Sequence, residues 1–136
     1  MQLLKTYIVE DSRVIRENLI ATLEEMAPVL VVGVAEDEAT ATQWLAQSTN
    51  QADLVIVDLF LKLGSGLGVL RASFGTPHQR TMVVLSNHAT PEIRHKCLEL
   101  GASKIFDKSN ELDGLLLYCE HLAQGGASTS TRGDLN

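Results

Sequence analysis

Along this chain, short apolar runs alternate with stretches in which apolar residues recur at helical spacing. Tyr7-Ile8-Val9 is the first run, and after it Ile15, Leu19, Leu23 and Met26 fall on one face of a helix predicted over residues 12–26. Pro28 closes that helix, and the β-branched run Val29–Ala35 reads as a second strand. A weaker helical stretch over 39–47 carries Trp44 and Leu45 and leads to Leu54–Val57, apolar throughout. A glycine-rich loop (Gly64, Gly66, Gly68) opens a short helix over 67–73, and residues 82–85 form the next apolar run. Thr90-Pro91-Glu92 then combines an N-cap, a proline at the first helical position and a first-turn acid, and Gly101 supplies the stop. Residues 103–106 make a fifth strand. Leu112, Leu115, Leu116, Cys119 and Leu122 give a last helix over 110–124 its inward face.

Five strand–helix pairs predict an α/β architecture, an open, doubly wound, parallel five-stranded sheet. Runs apolar at every position fit strands covered by helices on both faces. A length of 136 residues suits one domain with a real core. We expect that domain over residues 1–124, with 125–136 (GGASTSTRGDLN) as a flexible polar tail.

Composition narrows the class. An apolar share of 45% excludes a disordered chain, and 17 acids against 11 Lys and Arg, net −6, argue against direct nucleic-acid binding. Cys97 and Cys119 lack metal-ligand spacing and read as reduced thiols. With no leader segment and no apolar run long enough to span a bilayer, the expected location is the cytoplasm, without membrane insertion. The charge is lopsided: residues 1–60 hold ten acids and three bases, residues 61–136 seven acids and eight bases.

Ligands of a doubly wound sheet bind beyond the carboxyl ends of its strands. There the first strand ends at Glu10-Asp11, the third at Asp58 and the fourth at Ser86, and the fifth runs to Lys108. Each has an ordinary reading alone: Glu-Asp can cap a helix, Ser86 can open a turn, Lys108 can lie on the surface. Asp58, directly after a fully apolar strand, fits such a reading poorly. Two carboxylates ~4 Å apart repel by about 4 kcal/mol at an effective dielectric near 20. A hard divalent cation such as Mg²⁺ would offset that cost. The remaining acids of the first half, such as Glu24, Glu25 and the run Glu36 to Glu38, read as solvated surface.

Through Ile8-Val9-Glu10-Asp11, Val57-Asp58-Leu59 with Gly64-Ser65-Gly66, Val84-Leu85-Ser86, and Gly101-Ala102 ahead of Lys108, the chain resembles the receiver domain of two-component response regulators. The resemblance covers about residues 4–123. It implies a flavodoxin-like (βα)5 fold with strand order 2-1-3-4-5. It also implies that Asp58 accepts a phosphoryl group from a phosphohistidine of a sensor histidine kinase or a histidine-phosphotransfer protein. Mg²⁺ would be bound by Glu10, Asp11, Asp58 and the backbone carbonyl of Phe60. Ser86 would hydrogen-bond a phosphoryl oxygen, and Lys108 would pair with Asp58 or its phosphate. Such a protein is a signalling phosphoacceptor that assists its own phosphorylation and dephosphorylation, not an enzyme acting on other substrates. As a stand-alone receiver it would signal to another protein through a surface carrying Arg94, His95, Lys96 and Lys104, and a phosphorylation-dependent dimer is one form that output can take.

The chain departs from the family pattern at three places. Ile105 stands where the family's switch residue, the partner of Ser86, is usually aromatic; Phe106 is one residue off and faces the other way. Ser109 replaces a proline that is often cis, so no cis bond is expected there. Asn87 replaces a small residue beside the phosphoryl site, near Phe60 and His88, with consequences for water access and phosphoaspartate lifetime. The alternative is a pseudo-receiver, a protein-binding module that is not phosphorylated, which Ile105 favours and the intact acid, Ser86 and Lys108 set opposes. A haloacid-dehalogenase-like phosphatase would need a second Asp where Phe60 stands, and the glycines complete neither G-x-G-x-x-G nor a P-loop.

Overall fold

In the computed structural model, which describes residues 2–76, 80–87 and 89–125, the apolar runs become β1 (Leu4–Val9), β2 (Val29–Ala35), β3 (Leu54–Val57), β4 (Thr81–Ser86) and β5 (Ala102–Asp107). They pair in parallel in the order β2-β1-β3-β4-β5, the flavodoxin-like arrangement. The helices between them are α1 (Arg13–Met26), α2 (Glu38–Ala46), α3 (Gly66–Phe74), α4 (Pro91–Glu99) and α5 (Leu112–Ala123). Four helices start on a side chain that accepts from a first-turn N–H: Ser12, Asp37, Ser65 and Thr90. Residues 126–136, with the expected tail, lie outside the described residues, as do His78 and His88.

Alternation along each strand divides the core in two. Tyr7, Val9, Val55, Val57 and Val84 pack with Ala41, Leu45 and Val69 of α2 and α3 and with Cys97 of α4. Ile8, Leu54, Ile56, Val83 and Leu85 pack on the other face with Leu19 and Leu23 of α1 and with Leu115 and Cys119 of α5. Both thiols are therefore free, buried, and on opposite sides of the sheet. Burial pushes the Cys119 thiol up to about 12. Among the described residues no helix is long and apolar enough to cross a membrane.

Three details differ from the sequence reading. Full coverage on both faces holds for β3 but not for the edge strand β2, where Leu30, Val32 and Val34 are exposed. The buried stripe of α1 is Arg16, Leu19 and Leu23, while Ile15 and Met26 face solvent. The last helix begins at Leu112 rather than 110, because the Asp107 carboxylate accepts from the N–H of Ser109 (2.7 Å) and of Asn110 (3.3 Å), holding a turn there.

Candidate functional site

Parallel pairing with Val9 opposite Val57, and Val57 opposite Val84, brings the strand ends level. The ladder runs one residue further on the first two: Glu10 N donates to Ala35 O (2.9 Å) and Asp58 N to Val9 O (2.9 Å). Lys108, just past β5, is held by its N–H to Ser86 O at 3.4 Å. The backbone thus sets Glu10, Asp58 and Lys108 along one edge before any side chain is considered.

Asp58 is 6% exposed and Ser86 1% exposed. The Ser86 hydroxyl donates to Asp58 Oδ1 (3.1 Å), as does the Phe60 N–H at 3.3 Å, while Lys108 Nζ donates to Asp58 Oδ2 at 2.9 Å. Lys108 Nζ also donates to Glu10 Oε1, making one ammonium the partner of two buried carboxylates. Glu10, Asp11 and Asp58 each offer an oxygen within 4.8 Å of the others. At that separation each like pair repels by roughly 3–4 kcal/mol at an effective dielectric near 20.

The charges respond accordingly. Burial pushes the Glu10 carboxyl above its ordinary 4.5, with the Asp58 charge acting the same way and hydrogen bonds from Lys108 and Ser12 opposing. Burial of Lys108 would lower its pKa, but its hydrogen bonds to Glu10 and Asp58 outweigh that and hold it above 10.5. Three acids against one ammonium leave an excess of negative charge on hard oxygen donors. That donor set fits a hard divalent cation such as Mg²⁺.

Residues 59–65, the loop between β3 and α3, complete the rim. Gly66, at the start of α3, lies so close to the backbone of Asp58 and Leu59 that a Cβ there would collide with both. Asp11 Oδ2 accepts from Lys62 N at 2.7 Å. Phe60, the expected carbonyl ligand, sits within this loop with its ring half-exposed. Of the two expected switch positions, Ser86 is at the carboxylate, while Ile105 packs with Ile93 against the α4 side of the sheet. Phe106 packs on the opposite face, its ring 6.0 Å from that of Tyr118.

Two groups of supporting residues were not foreseen. Arg16, 9% exposed, donates through Nη1 to the Glu10 carbonyl (2.8 Å) and pairs through Nη2 with Glu36 (3.1 Å). Its spacing from Leu19 and Leu23 is the available signal: a cation on a buried stripe needs a partner. The run Glu36 to Glu38 is more than solvated surface. Glu36 holds Arg16, Asp37 accepts from Thr40 N to start α2 (2.7 Å), and Glu38 accepts from Ser65 N across 27 residues (2.8 Å).

The model of the response regulator receiver domain family matches residues 6–120. A protein-glutamate methylesterase/protein-glutamine glutaminase of Myxococcus xanthus is 31% identical over 116 residues, 85% of this chain and 33% of that protein. The chain thus spans about a third of the length of this curated relative. The signal receiver domain of the response regulator NarL from Mycobacterium tuberculosis superposes with a TM-score of 0.80 at 22% identity, over 92% of this chain and 99% of that one. The response regulator domain of Thermotoga maritima CheB gives 0.78 at 18% identity, over 93% and 99%. At those identities the structures speak for the fold, and the family match over residues 6–120 speaks for descent: this chain belongs to the receiver domain family of two-component response regulators.

Proposed function

We propose that this receiver accepts a phosphoryl group on Asp58 from a phosphohistidine and that the modified site changes the protein's binding surface. The observation that carries the reading is the convergence of Ser86 and Lys108 on the two oxygens of a buried Asp58 that also stands beside Glu10 and Asp11. An Asp58 oxygen forms the new P–O bond as the P–N bond of the phosphohistidine breaks, and the imidazole leaves with the bonding pair. The Ser86 hydroxyl and the Lys108 ammonium then exchange a carboxylate partner for phosphoryl oxygens. Glu10, Asp11, Asp58 and the Phe60 carbonyl would hold Mg²⁺, which supplies positive charge against the phosphoryl oxygens when bound. Hydrolysis reverses the modification, water attacking phosphorus and the Asp58 carboxylate leaving.

The donor is a sensor kinase or phosphotransfer protein. Its docking is supported by the exposed apolar side chains of Ile15 and of Phe60, two residues after Asp58. Ile15 lines a cavity of about 310 Å³ together with Leu19, Lys108 and Leu112. The protein is a signalling phosphoacceptor that assists its own phosphorylation and dephosphorylation, and its target is another protein, with a phosphorylation-dependent dimer as one form of output.

Incubation with Mg²⁺ and a small phosphodonor or a phosphorylated kinase is expected to add ~80 Da, the mass of a phosphoryl group. The gain is lost in Asp58→Asn. No gain with any of several donors would favour the pseudo-receiver that Ile105 suggests.

A further inference from the structure

Glu38 opens α2, yet its carboxylate is spent on a different element. Oε1 accepts from Ser65 N at 2.8 Å, and Glu38 N donates to Leu63 O at 3.2 Å. The side chain lies in a hollow that exists because residues 64 and 68 are glycines: a Cβ on Gly64 would meet the Glu38 Cβ, and one on Gly68 would meet the carboxylate. Gly64 also has φ +86°, a conformation that other residues reach only with strain. Gly64 in this loop and Gly66 and Gly68 at the start of α3 therefore divide two tasks. Gly66 lets the chain pass against Asp58, while Gly64 and Gly68 seat Glu38.

We infer that Glu38 is a positioning residue for the metal-binding side of the site, clamping the segment that carries Phe60 so that its carbonyl and the carboxylates form one preorganised set. This deepens the proposed function and rests on it. Gly66 N donates to Leu59 O (3.0 Å), Phe60 N to Asp58 Oδ1, Lys62 N to Asp11, Ser65 N to Glu38, and Leu63 O accepts from Glu38 N. Two of these bonds belong to Glu38, and two belong to the expected metal ligands Asp58 and Asp11. Asp11 can keep one oxygen on Lys62 N and still offer the other only while residues 59–65 stay where they are. Losing Glu38 would free the α3 end of the loop and cost Mg²⁺ affinity, although Glu38 never touches the metal. Partners that hold a metal ligand in place are commonly worth 10–100-fold in affinity.

The test is Mg²⁺ titration by calorimetry, paired with amide hydrogen exchange at Ser65 and Lys62 in the metal-free protein. In Glu38→Ala, Mg²⁺ affinity should fall about tenfold, the lower end of that range. Protection at Ser65 should be lost, and the mass gain on Asp58 should recover at saturating Mg²⁺. Glu38→Gln, which keeps an acceptor oxygen for Ser65 N, should stay within about threefold of wild type. Gly68→Ala gives a second route. It improves helix propensity, so it does not act by unfolding α3, but it crowds the carboxylate out of its seat. It should weaken Mg²⁺ binding in the wild-type background and have no further effect when Glu38 is already Ala. Unchanged Mg²⁺ affinity in a folded Glu38→Ala protein would overturn the role given to Glu38 and leave the receiver reading intact. A wild-type protein that takes up neither Mg²⁺ nor a phosphoryl group would overturn that reading, and this role with it.

Discussion

On one side of Asp58, two carboxylates that accept backbone N–H groups stitch together the segments following β1, β2 and β3, Asp11 from Lys62 and Glu38 from Ser65, while Glu10 accepts from Ser12 within the first of them. On the other side, among the described residues, the segments following β4 and β5 meet through the Ser109 hydroxyl on the Asn87 amide oxygen (3.0 Å) and the 3.4 Å bond from Lys108 N to Ser86 O. Hydrogen bonds to charged groups contribute about 1.5–3 kcal/mol, neutral ones about 0.5–1.5. The side carrying the proposed metal ligands is therefore held by the stronger links, and the side of Ser86 and Lys108 by weaker ones. On the proposed function, a phosphoryl group that draws Ser86 and Lys108 toward itself would pull on the side that gives more easily.

Lys108 joins the two sides, and its removal should have the largest effect. Lys108→Ala leaves Glu10 and Asp58 buried side by side without a cation, at a cost of about 3 kcal/mol at neutral pH, as for other broken buried pairs. Added Mg²⁺ should raise the melting temperature of the variant more than that of wild type, because a cation now meets an uncompensated charge. The pH dependence follows from the two raised pKa values. In the variant Glu10, already raised by burial, loses its ammonium partner, so the stability gap opens as pH rises above 4.5 and Glu10 must ionise unpaired. In wild type the Lys108 contribution is complete below 10.5 and is lost as pH rises through its higher folded pKa, closing the gap. Denaturant melts from pH 4 to 11 check both limbs, and a gap independent of pH would mean that Lys108 acts by packing alone.

The next effect concerns the side with the stronger links. Arg16→Ala removes a buried fork that holds the Glu10 carbonyl and Glu36 together, and should cost about 2 kcal/mol by urea denaturation. Arg16→Lys should recover less than half, since a single ammonium replaces two nitrogens with separate partners. Recovery in full would show that charge near Glu10 matters and the fork does not.

How much of this was readable before the structure depends on the kind of contact. Glu10, Asp58 and Ser86 were legible because each follows or ends an apolar run, and parallel pairing brings such run ends together. The five strand–helix pairs were legible from the alternation of apolar runs with helical spacing, and the strand order only through the family resemblance. Arg16 was missed because Ile15 offered a competing apolar stripe one residue away, and only packing decides between them. Glu38 was missed because its partner is the backbone N–H of Ser65, a group every residue but proline carries. The exposure of Leu30, Val32 and Val34 on β2 was equally hidden. Nothing in an apolar run marks it as an edge strand.

The smallest effect tests the side with the weaker links. Ser109 is exposed and its hydroxyl donates to the Asn87 amide oxygen, so Ser109→Ala should change stability by less than about 1 kcal/mol. The interest lies in kinetics. Asn87 occupies a position usually filled by a small residue, and its amide oxygen is tied to the turn that carries Lys108. Releasing it should let water reach the acyl phosphate more easily and shorten its lifetime roughly twofold, since ~0.4 kcal/mol off a barrier doubles a rate. Mass spectrometry of the decaying +80 Da species in wild type, Ser109→Ala and Asn87→Ala measures this. Equal lifetimes in all three would place control of water elsewhere, and a loss of 2 kcal/mol or more in Ser109→Ala would erase the contrast between the two sides. If the lifetime shortens while stability holds, the weak link is part of how long the signal lasts.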